Sequence, residues 1–313
     1  LKVKKTAGLK ALINDSLESK GVIVAHHGVA VEVEFDTGER GVIRVKRRSG
    51  HVVGDDVLVN SEVLTRLPRQ TELRRRDVAG DIHLVGANLD VLGIVVAHMP
   101  GPPTGFIDRA VVAARAADLA PFLIINKSDL EGTEELSSVL RMVYAASLPI
   151  FSVSAATGKG MDGLREFFAK GCRGAFIGTT GVGKSSLLNS ICPGVGLRVG
   201  ALNYNEKGCH TTTVSTLHSL PDGGELIDTP GFQDFGLVDI SAQDLASYFP
   251  GFEKAKKKAC RFRDCLHNSE PGCAVGELLE EGAISEERYS SYLDILKETE
   301  TVQAEELRRS WKN

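Results

Sequence analysis

Lys184 and Ser185 close a glycine-rich octapeptide, Gly178-Thr179-Thr180-Gly181-Val182-Gly183-Lys184-Ser185, with the composition of a phosphate cradle. Glycines let successive backbone N–H groups converge on anionic oxygens without interference from Cβ atoms. A lysine in that place reaches the β- and γ-phosphates of a nucleoside triphosphate, and the serine hydroxyl is a ligand for the accompanying Mg²⁺. The octapeptide follows the apolar run Ala175 to Ile177 and precedes Ser186-Leu-Leu-Asn189, a helical start whose N-terminus adds partial positive charge. Strand, loop and helix in this order imply a bound nucleotide without saying which base it carries.

The base is addressed by Asn126-Lys127-Ser128-Asp129, which follows the apolar run Phe122 to Ile125 and fits an NKxD pattern. A carboxylate at Asp129 accepts from guanine N1–H and N2–H₂ together, and adenine offers no such pair of donors. Two charge-assisted hydrogen bonds of about 1.5–3 kcal/mol each predict a GTP preference on the order of 10²–10⁴. Ser154-Ala155, at the end of Ile150 to Val153, resembles the short SA element whose backbone contacts the guanine carbonyl.

Asp228-Thr-Pro-Gly231 matches DxxG, with Asp228 expected to hold Mg²⁺ through water and the Gly231 N–H to bond the γ-phosphate. Upstream, Gly208-Cys-His-Thr-Thr-Thr213 offers the threonine hydroxyl that a first switch brings to the metal. Thr211 and Thr212 both qualify, and Ser185 and Thr212 form the expected magnesium pair. Phe232 stands where many GTPases carry a water-orienting glutamine, so hydrolysis is expected to be slow alone, helped by another residue, or stimulated by a partner. His210 is the candidate for positioning water, beside Lys184, Thr211 and Thr212 as catalytic candidates. The order of the elements is permuted: NKxD and SA precede the phosphate loop, the threonine switch and DxxG. A compact domain tolerates such relocation of its termini, and here it leads the second switch straight into the C-terminal region.

Cys260-x₄-Cys265-x-His267-x₅-Cys273 supplies three thiolates and one imidazole, a closed tetrahedral set for one structural Zn²⁺ with no position left for a catalytic water. Three cysteines cannot pair fully as disulfides. Cys172, Cys192 and Cys209 are scattered and read as incidental or buried thiols.

Three kinds of chain surround these groups. Gly21–Val24, Val29–Val33, Gly41–Val45 and Asp56–Val59 are rich in β-branched residues and separated by turn signals, which suits a small closed barrel of OB type. The arginine run from Arg66 to Arg76 reads as a linker or barrel exit. From Ile82, apolar runs (Val91–Ala97, Phe122–Ile125, Ile150–Val153, Ala175–Ile177, Glu225–Ile227) alternate with helical stretches (Phe106–Leu119, Glu134–Ala146, Gly163–Lys170, Lys184–Ile191). This alternation is the mark of a mainly parallel, helix-covered sheet. Beyond Ile240 the chain is helical and polar around the cysteines. Ser285 is a candidate N-cap ahead of Glu286 and Glu287, and Tyr289, Tyr292, Leu293 and Leu296 mark one apolar face. The expected architecture is therefore multidomain: residues 1–72 an OB-type β-barrel with a basic N-terminal arm, 73–239 an α/β P-loop GTPase domain in permuted order, 240–313 a zinc-binding helical domain.

The 313 residues carry a net charge of −4, with 42% hydrophobic and 25% charged side chains, as a globular protein does. Against that balance stand three basic clusters: Arg44, Lys46, Arg47 and Arg48; Arg66, Arg69 and Arg74 to Arg76; and Lys254, Lys256 to Lys258, Arg261 and Arg263. Together they favour a polyanionic partner, and the third, beside the cysteines, suits RNA phosphates. No apolar run is long enough to span a bilayer, and Leu1 to Lys10 is lysine-rich with no apolar core after it, so a cytoplasmic protein with no membrane partner is expected. Monomer is the default oligomeric state.

The combination resembles the bacterial ribosome small subunit-dependent GTPases, a circularly permuted family with an OB barrel in front and a zinc knuckle behind. The resemblance covers nearly the whole chain. Beyond the permuted motifs it rests on Gly54-Asp-Asp-Val57, Ala87-Asn-Leu-Asp90, Ile107-Asp-Arg109, Gly208-x-His-Thr-Thr-Thr213, Asp228 to Leu237 and the Cys260 to Cys273 block. It implies binding to the small (30S) ribosomal subunit and its rRNA late in maturation, with subunit-stimulated hydrolysis of GTP to GDP and release afterwards. Cys209 stands where Arg or another polar residue is expected, and Thr180 where Ser is usual. With Leu1 as its first residue, the chain is expected to lack part of the family's basic arm. The competing reading is an RNA-binding module with GTP as a regulatory ligand and little hydrolysis, which Phe232 keeps open. An ATPase or kinase is disfavoured by Asn126 and Asp129.

Overall fold

Alternation of inward and outward side chains builds the first strands: β1 (Ser19–His26), β2 (Ala30–Phe35), β3 (Arg40–Arg44), β4 (Asp56–Asn60) and β5 (Val63–Arg66). The computed structural model describes residues 18–60, 63–76, 80–194, 215–229 and 237–310. In β4 the pattern places Val57 and Val59 inward. With Ile23, Val31, Val33 and Ile43 they form a small core of their own. The five strands pair antiparallel in the order β3-β2-β1-β4-β5. Among the described residues no ladder joins β3 to β5, and Arg66 Nη1 and Arg69 Nη2 bridge that seam by donating to Gly50 O at 3.2 and 2.6 Å.

The second unit is a sheet whose central strand, β8 (Val91–Ala97), is buried at all seven positions. A continuous apolar run of this kind is what a strand covered on both faces requires. Leu92, Ile94 and Val96 face one core and Val91, Val95 and Ala97 the other. Parallel to β8 lie β9 (Ala120–Asn126), β10 (Ile150–Ser152), β11 (Arg173–Ile177) and β13 (Glu225–Asp228), in the order β10-β9-β8-β11-β13, with antiparallel β12 (Thr216–Ser219) beyond. Helices α1 (Phe106–Ala116), α2 (Thr133–Tyr144), α3 (Met161–Phe168) and α4 (Lys184–Ile191) connect them. The apolar and helical runs expected in this unit fall within three residues of these bounds at either end. A single pairing, Ala25 with Thr216, runs β12 into β1 and makes the two units one eleven-stranded sheet.

The arginine run is not a linker. Glu72–Arg76 is a strand, β6, paired antiparallel with β7 (Ile82–Ala87) in a two-stranded sheet of its own. Part of its charge is answered within the protein, whereas Arg66, which is exposed, and Arg75 make no ion pair among the described residues. Arg69 pairs with Asp55 and Glu72, Arg74 with Glu72 and Asp239, and Arg76 with Glu306. Burial of part of this charge inside the protein removes it from the polyanion account.

The C-terminal unit comprises α5 (Ala242–Tyr248), a short 3-10 turn (Ala255–Lys257), α6 (Ala274–Glu280) and the 25-residue α7 (Glu286–Ser310). Ser241 caps α5 by accepting from the Asp244 N–H at 3.1 Å, and Ser285 Oγ accepts from the Arg288 N–H at 3.3 Å ahead of α7. Tyr292, Ile295, Leu296 and Thr299 bury one face of α7 against Leu245, Phe249, Phe252 and Leu278. Ile295 joins that face, whereas Leu293, to which the spacing points, is only partly buried. No helix among the described residues is long and apolar enough to cross a membrane.

Candidate functional site

Because β8 to β11 and β13 run parallel, the loops leaving their carboxyl ends gather at one edge of the sheet, where open α/β folds bind ligands. The phosphate loop leaves β11 after Ile177 and enters α4 at Lys184. Gly181 and Gly183 hold φ of +83° and +97°, conformations that turn their N–H groups into the loop and that side chains rarely adopt. Gly183 has a second constraint, since a Cβ there would lie 2.3 Å from Asn126 Nδ2. A Cβ on Gly178 would meet Val95 O at 2.4 Å.

Lys184 folds over this loop and donates to Gly178 O at 2.6 Å and Thr179 O at 3.1 Å. Burial pushes its ammonium down to about 8, against an upward pull from Asp228. Asp228, at the end of β13, is displaced the other way: burial raises its carboxyl, opposed by Lys184. Two opposite charges are thus held in partial desolvation at one edge, as a site for Mg²⁺ and phosphate needs. Ser185 and Ser186 follow in the first turn of α4. Thr229, next to Asp228, is buried with its hydroxyl unpartnered among the described residues. His210, Thr211, Thr212 and Gly231 lie outside the described residues, as do Cys209 and Phe232.

Asn126 ends β9 and is 2% exposed. Its Nδ2 donates to Val182 O at 2.8 Å, and its Oδ1 accepts from the Ala155 N–H at 3.2 Å. One side chain therefore fastens the phosphate loop to the Ser154–Ala155 turn. Lys127 takes a left-handed φ of 63°, held by Thr133 Oγ1 donating to its carbonyl at 3.0 Å, and its Nζ donates to Met99 O at 2.7 Å. Asp129 projects to the surface, and the buried Ser154 hydroxyl donates to its Oδ1 at 2.5 Å. That bond sets the carboxylate's direction. The phosphate loop, Asn126 to Asp129, Ser154–Ala155 and Asp228 are thus brought to one edge from four strands.

The Cys260, Cys265, His267 and Cys273 ligand atoms all lie within 4.8 Å of one another. His267 Nδ1 is 3.6 Å from Cys260 Sγ, 3.6 Å from Cys265 Sγ and 3.2 Å from Cys273 Sγ. A tetrahedral ion with Zn–S of about 2.3 Å and Zn–N of about 2.0–2.1 Å has S···N edges of about 3.6 Å. The donor set and its spacing fit such an ion. Burial, with the neighbouring Cys273 and Cys260 thiols adding, pushes the Cys265 thiol up to about 12, a shift that a bound cation would oppose.

The other short motifs turn out to be joints. Asp55 accepts twice from Arg69, at 2.6 and 2.9 Å. Asn88 Nδ2 donates to Gly54 O at 2.9 Å, and Asp90 Oδ2 accepts from the Arg173 N–H at 2.7 Å. Asp108 accepts from Tyr144 Oη at 2.8 Å and Ser291 Oγ at 2.7 Å, and Arg109 pairs with Glu298, which ties α7 to α1. Sequence reasoning passes over Met99 and Thr133 because a carbonyl contact or a single hydroxyl leaves no residue signature.

A parallel sheet with a phosphate loop on β11 and an NKxD loop on the earlier strand β9 defines a circularly permuted P-loop GTPase. A sequence profile of the RsgA GTPase family matches residues 66–238. A protein of Pseudomonas fluorescens named small ribosomal subunit biogenesis GTPase RsgA is 40% identical over 310 residues, 94% of this chain and 90% of the relative. One of the same name from Azotobacter vinelandii is 42% identical over 294 residues, 89% and 85% of the two chains. The crystal structure of YjeQ from Thermotoga maritima superposes with a TM-score of 0.74 at 35% identity, covering 90% of this chain and 99% of that one. YloQ, described as a circularly permuted GTPase, gives 0.66 at 25% identity over 92% and 97%. The chain belongs to the RsgA GTPase family.

Proposed function

We propose that this GTPase binds the small ribosomal subunit through its rRNA late in maturation and couples hydrolysis of GTP to its own release. The GTP-binding part of this reading is carried by Asn126, whose two hydrogen bonds join the phosphate loop to the base-side turn and so support one nucleotide pocket despite the permuted order. The curated relatives bear the name of small ribosomal subunit biogenesis GTPases. Such a partner implies a cytoplasmic place of action.

In this reading Asp129 takes the guanine N1–H and N2–H₂, with Ser154 fixing its direction and Ala155 near the base carbonyl. Backbone N–H groups from Gly178 to Gly183 bind the phosphates with Lys184, and Ser186 lies behind them. Ser185 and Thr212 ligate Mg²⁺, Asp228 acts on it through water, and the Gly231 N–H senses the γ-phosphate. The metal supplies charge neutralisation at the leaving and transferred oxygens. His210, with Thr211 or Thr212, positions the attacking water. One Zn²⁺ per chain holds Cys260, Cys265, His267 and Cys273. The N-terminal strands act as an OB-type barrel, and the exposed Arg44, Lys46, Arg47 and Arg48, which make no ion pair among the described residues, face rRNA phosphates.

The deciding experiment is GTP turnover with and without purified small ribosomal subunits, large subunits serving as control. Stimulation by the small subunit alone is expected. Binding without turnover, even in single-turnover conditions with small subunits present, would instead favour an RNA-binding module regulated by GTP.

A further inference from the structure

Six of the ten residues from 254 to 263 are Lys or Arg (Lys254, Lys256, Lys257, Lys258, Arg261 and Arg263), and none is acidic, in a chain whose net charge is −4. Among the described residues only Lys258 is neutralised within the protein, by Glu277 and Glu281. The other five are exposed and make no ion pair among the described residues. Near the C-terminal end of this run, between Arg261 and Arg263 and ahead of the exposed Asp264, sits Phe262, 42% exposed. The Arg261 guanidinium carbon lies 5.5 Å from the centroid of its ring.

Phe262 is not at the end of a loose tail. It occupies the four-residue link between Cys260 and Cys265, whose sulfurs both converge on His267. The Arg261 N–H donates to Gly272 O at 3.0 Å, and Ala274 N–H donates to Cys260 Sγ at 3.3 Å, so the base of the link is fixed to the far side of the cysteine cluster. An exposed phenylalanine alone is ordinary. An aromatic ring presented on a link fixed at its base, with a guanidinium beside it and four further unneutralised cations within nine residues of it in the chain, combines a stacking platform with a source of positive charge.

We propose that Phe262 stacks on one unpaired base of the RNA partner while Lys254, Lys256, Lys257, Arg261 and Arg263 contact the phosphates on either side. This rests on the rRNA-binding reading given above and adds to it the kind of RNA: a bulged, looped or single-stranded nucleotide, since bases inside an A-form duplex are closed to a side chain. An anionic membrane is the weaker match, because a lone ring with no second exposed apolar neighbour on the link offers little area to bury.

The test uses the full chain, purified small ribosomal subunits, and two RNA hairpins that differ only in one bulged nucleotide. Phe262→Leu keeps an apolar side chain without the π face and is expected to lose roughly 5- to 150-fold in affinity for subunits and for the bulged hairpin. Phe262→Tyr should stay within about two-fold of the parent, and both should keep the parent's salt dependence. Arg263→Ala should instead flatten the slope of log affinity against log salt by about 0.7–0.9. Zinc content and melting temperature of each variant check that the cluster is intact. Equal binding by parent and Phe262→Leu overturns the stacking proposal while leaving the rRNA reading in place. Failure of the parent to bind small subunits at all overturns that reading and the proposal with it. As a direct reporter, Phe262→Trp combined with Trp311→Phe should be quenched by the bulged hairpin and not by the paired one. A spectral shift with phosphatidylglycerol vesicles, and none with either RNA, would reassign the patch to a membrane surface and overturn the proposal.

Discussion

Gly183 and Asn126 touch across the nucleotide edge, so closely that a single added carbon on the glycine would lie 2.3 Å from the asparagine amide nitrogen. The contact registers the phosphate loop against the NKxD loop, and the Asn126 bond to Val182 O at 2.8 Å holds it there. No short covalent connection does this work, because the two loops are separated by α2, β10, α3 and β11.

Gly183→Ala should therefore separate the loops as well as strain a backbone with φ of +97°. The backbone term alone is about 1–2 kcal/mol, and with the displaced amide the GTP affinity is expected to fall at least about ten-fold. Fluorescent-nucleotide titration measures it, with circular dichroism showing the fold retained. Unchanged affinity would mean that the contact has no part in the pocket.

Ser154 holds the Asp129 carboxylate from a fully buried position. Ser154→Ala is expected to weaken GTP by about 1 kcal/mol, near five-fold, through a misdirected acceptor. Asp129→Asn should do more, weakening GTP and improving xanthosine triphosphate, because an N–H then faces a keto oxygen. Competition between the two nucleotides reads both effects, and a Ser154→Ala protein with parental affinity would remove the orienting role.

The Lys184 ammonium lies near 8 in the free protein through burial, below its ordinary value of 10.5. Above pH 8 the amine is mostly neutral, and a bound triphosphate restores its proton. GTP binding should then take up roughly 0.75 proton at pH 8.5 and weaken about ten-fold between pH 7 and pH 9. Titration calorimetry in two buffers of different ionisation enthalpy counts the proton. Binding with no proton uptake at pH 8.5 would contradict the lowered value.

The cysteine cluster anchors the start of α7: Tyr289 Oη donates to His267 O at 2.9 Å and Tyr292 Oη to Leu266 O at 2.7 Å. About one zinc per chain is expected, and Cys265→Ser should lose it. Chelation or the substitution should raise hydrogen exchange in the first turns of α7 while leaving GTP affinity within about two-fold. Freshly purified protein without zinc, or exchange unaffected by chelator, would refute the assignment.

Asp55 is fully buried and Arg69 is 9% exposed, so their pair joins the β3–β4 loop to the entry of the β6–β7 hairpin out of contact with water. Asp55→Ala leaves the buried guanidinium with only Glu72 and Gly50 O as partners, and about 3 kcal/mol of stability should be lost. Asp55→Ala with Arg69→Met should recover much of it in urea unfolding. Additive losses would show the pair to be uncoupled.

What the residues announce most clearly is chemistry with a fixed identity. Lys184, Asp129, Asp228 and the Cys260 to Cys273 set are proposed to act through specific side chains, so type and spacing single them out, and the fold gathers the first three at one sheet edge and the last four within 4.8 Å of one another. The strands β8 and β9 are legible for a different reason: burial on both faces leaves an unbroken apolar run. The β6 strand is hidden because only Leu73 of its five residues is buried and its charges are answered from far along the chain, by Asp239, 165 residues from Arg74, and Glu306, 230 residues from Arg76. Asn126 reads as a base-side residue in the sequence, yet its two bonds hold loops together through backbone groups that any sequence would provide.

The turn after α3 has a consequence of its own. Ala169, Lys170 and Gly171 are exposed, and they are the covalent link between the strands that carry the base-reading loops and the strand that carries the phosphate loop. A cut there would leave the NKxD and Ser154–Ala155 loops, proposed to take guanine, on one fragment and the phosphate loop on the other, with the β8–β11 ladder as the seam between them. The nucleotide would then act as the adhesive of a split protein, and the permutation amounts to a choice of which half is synthesised first.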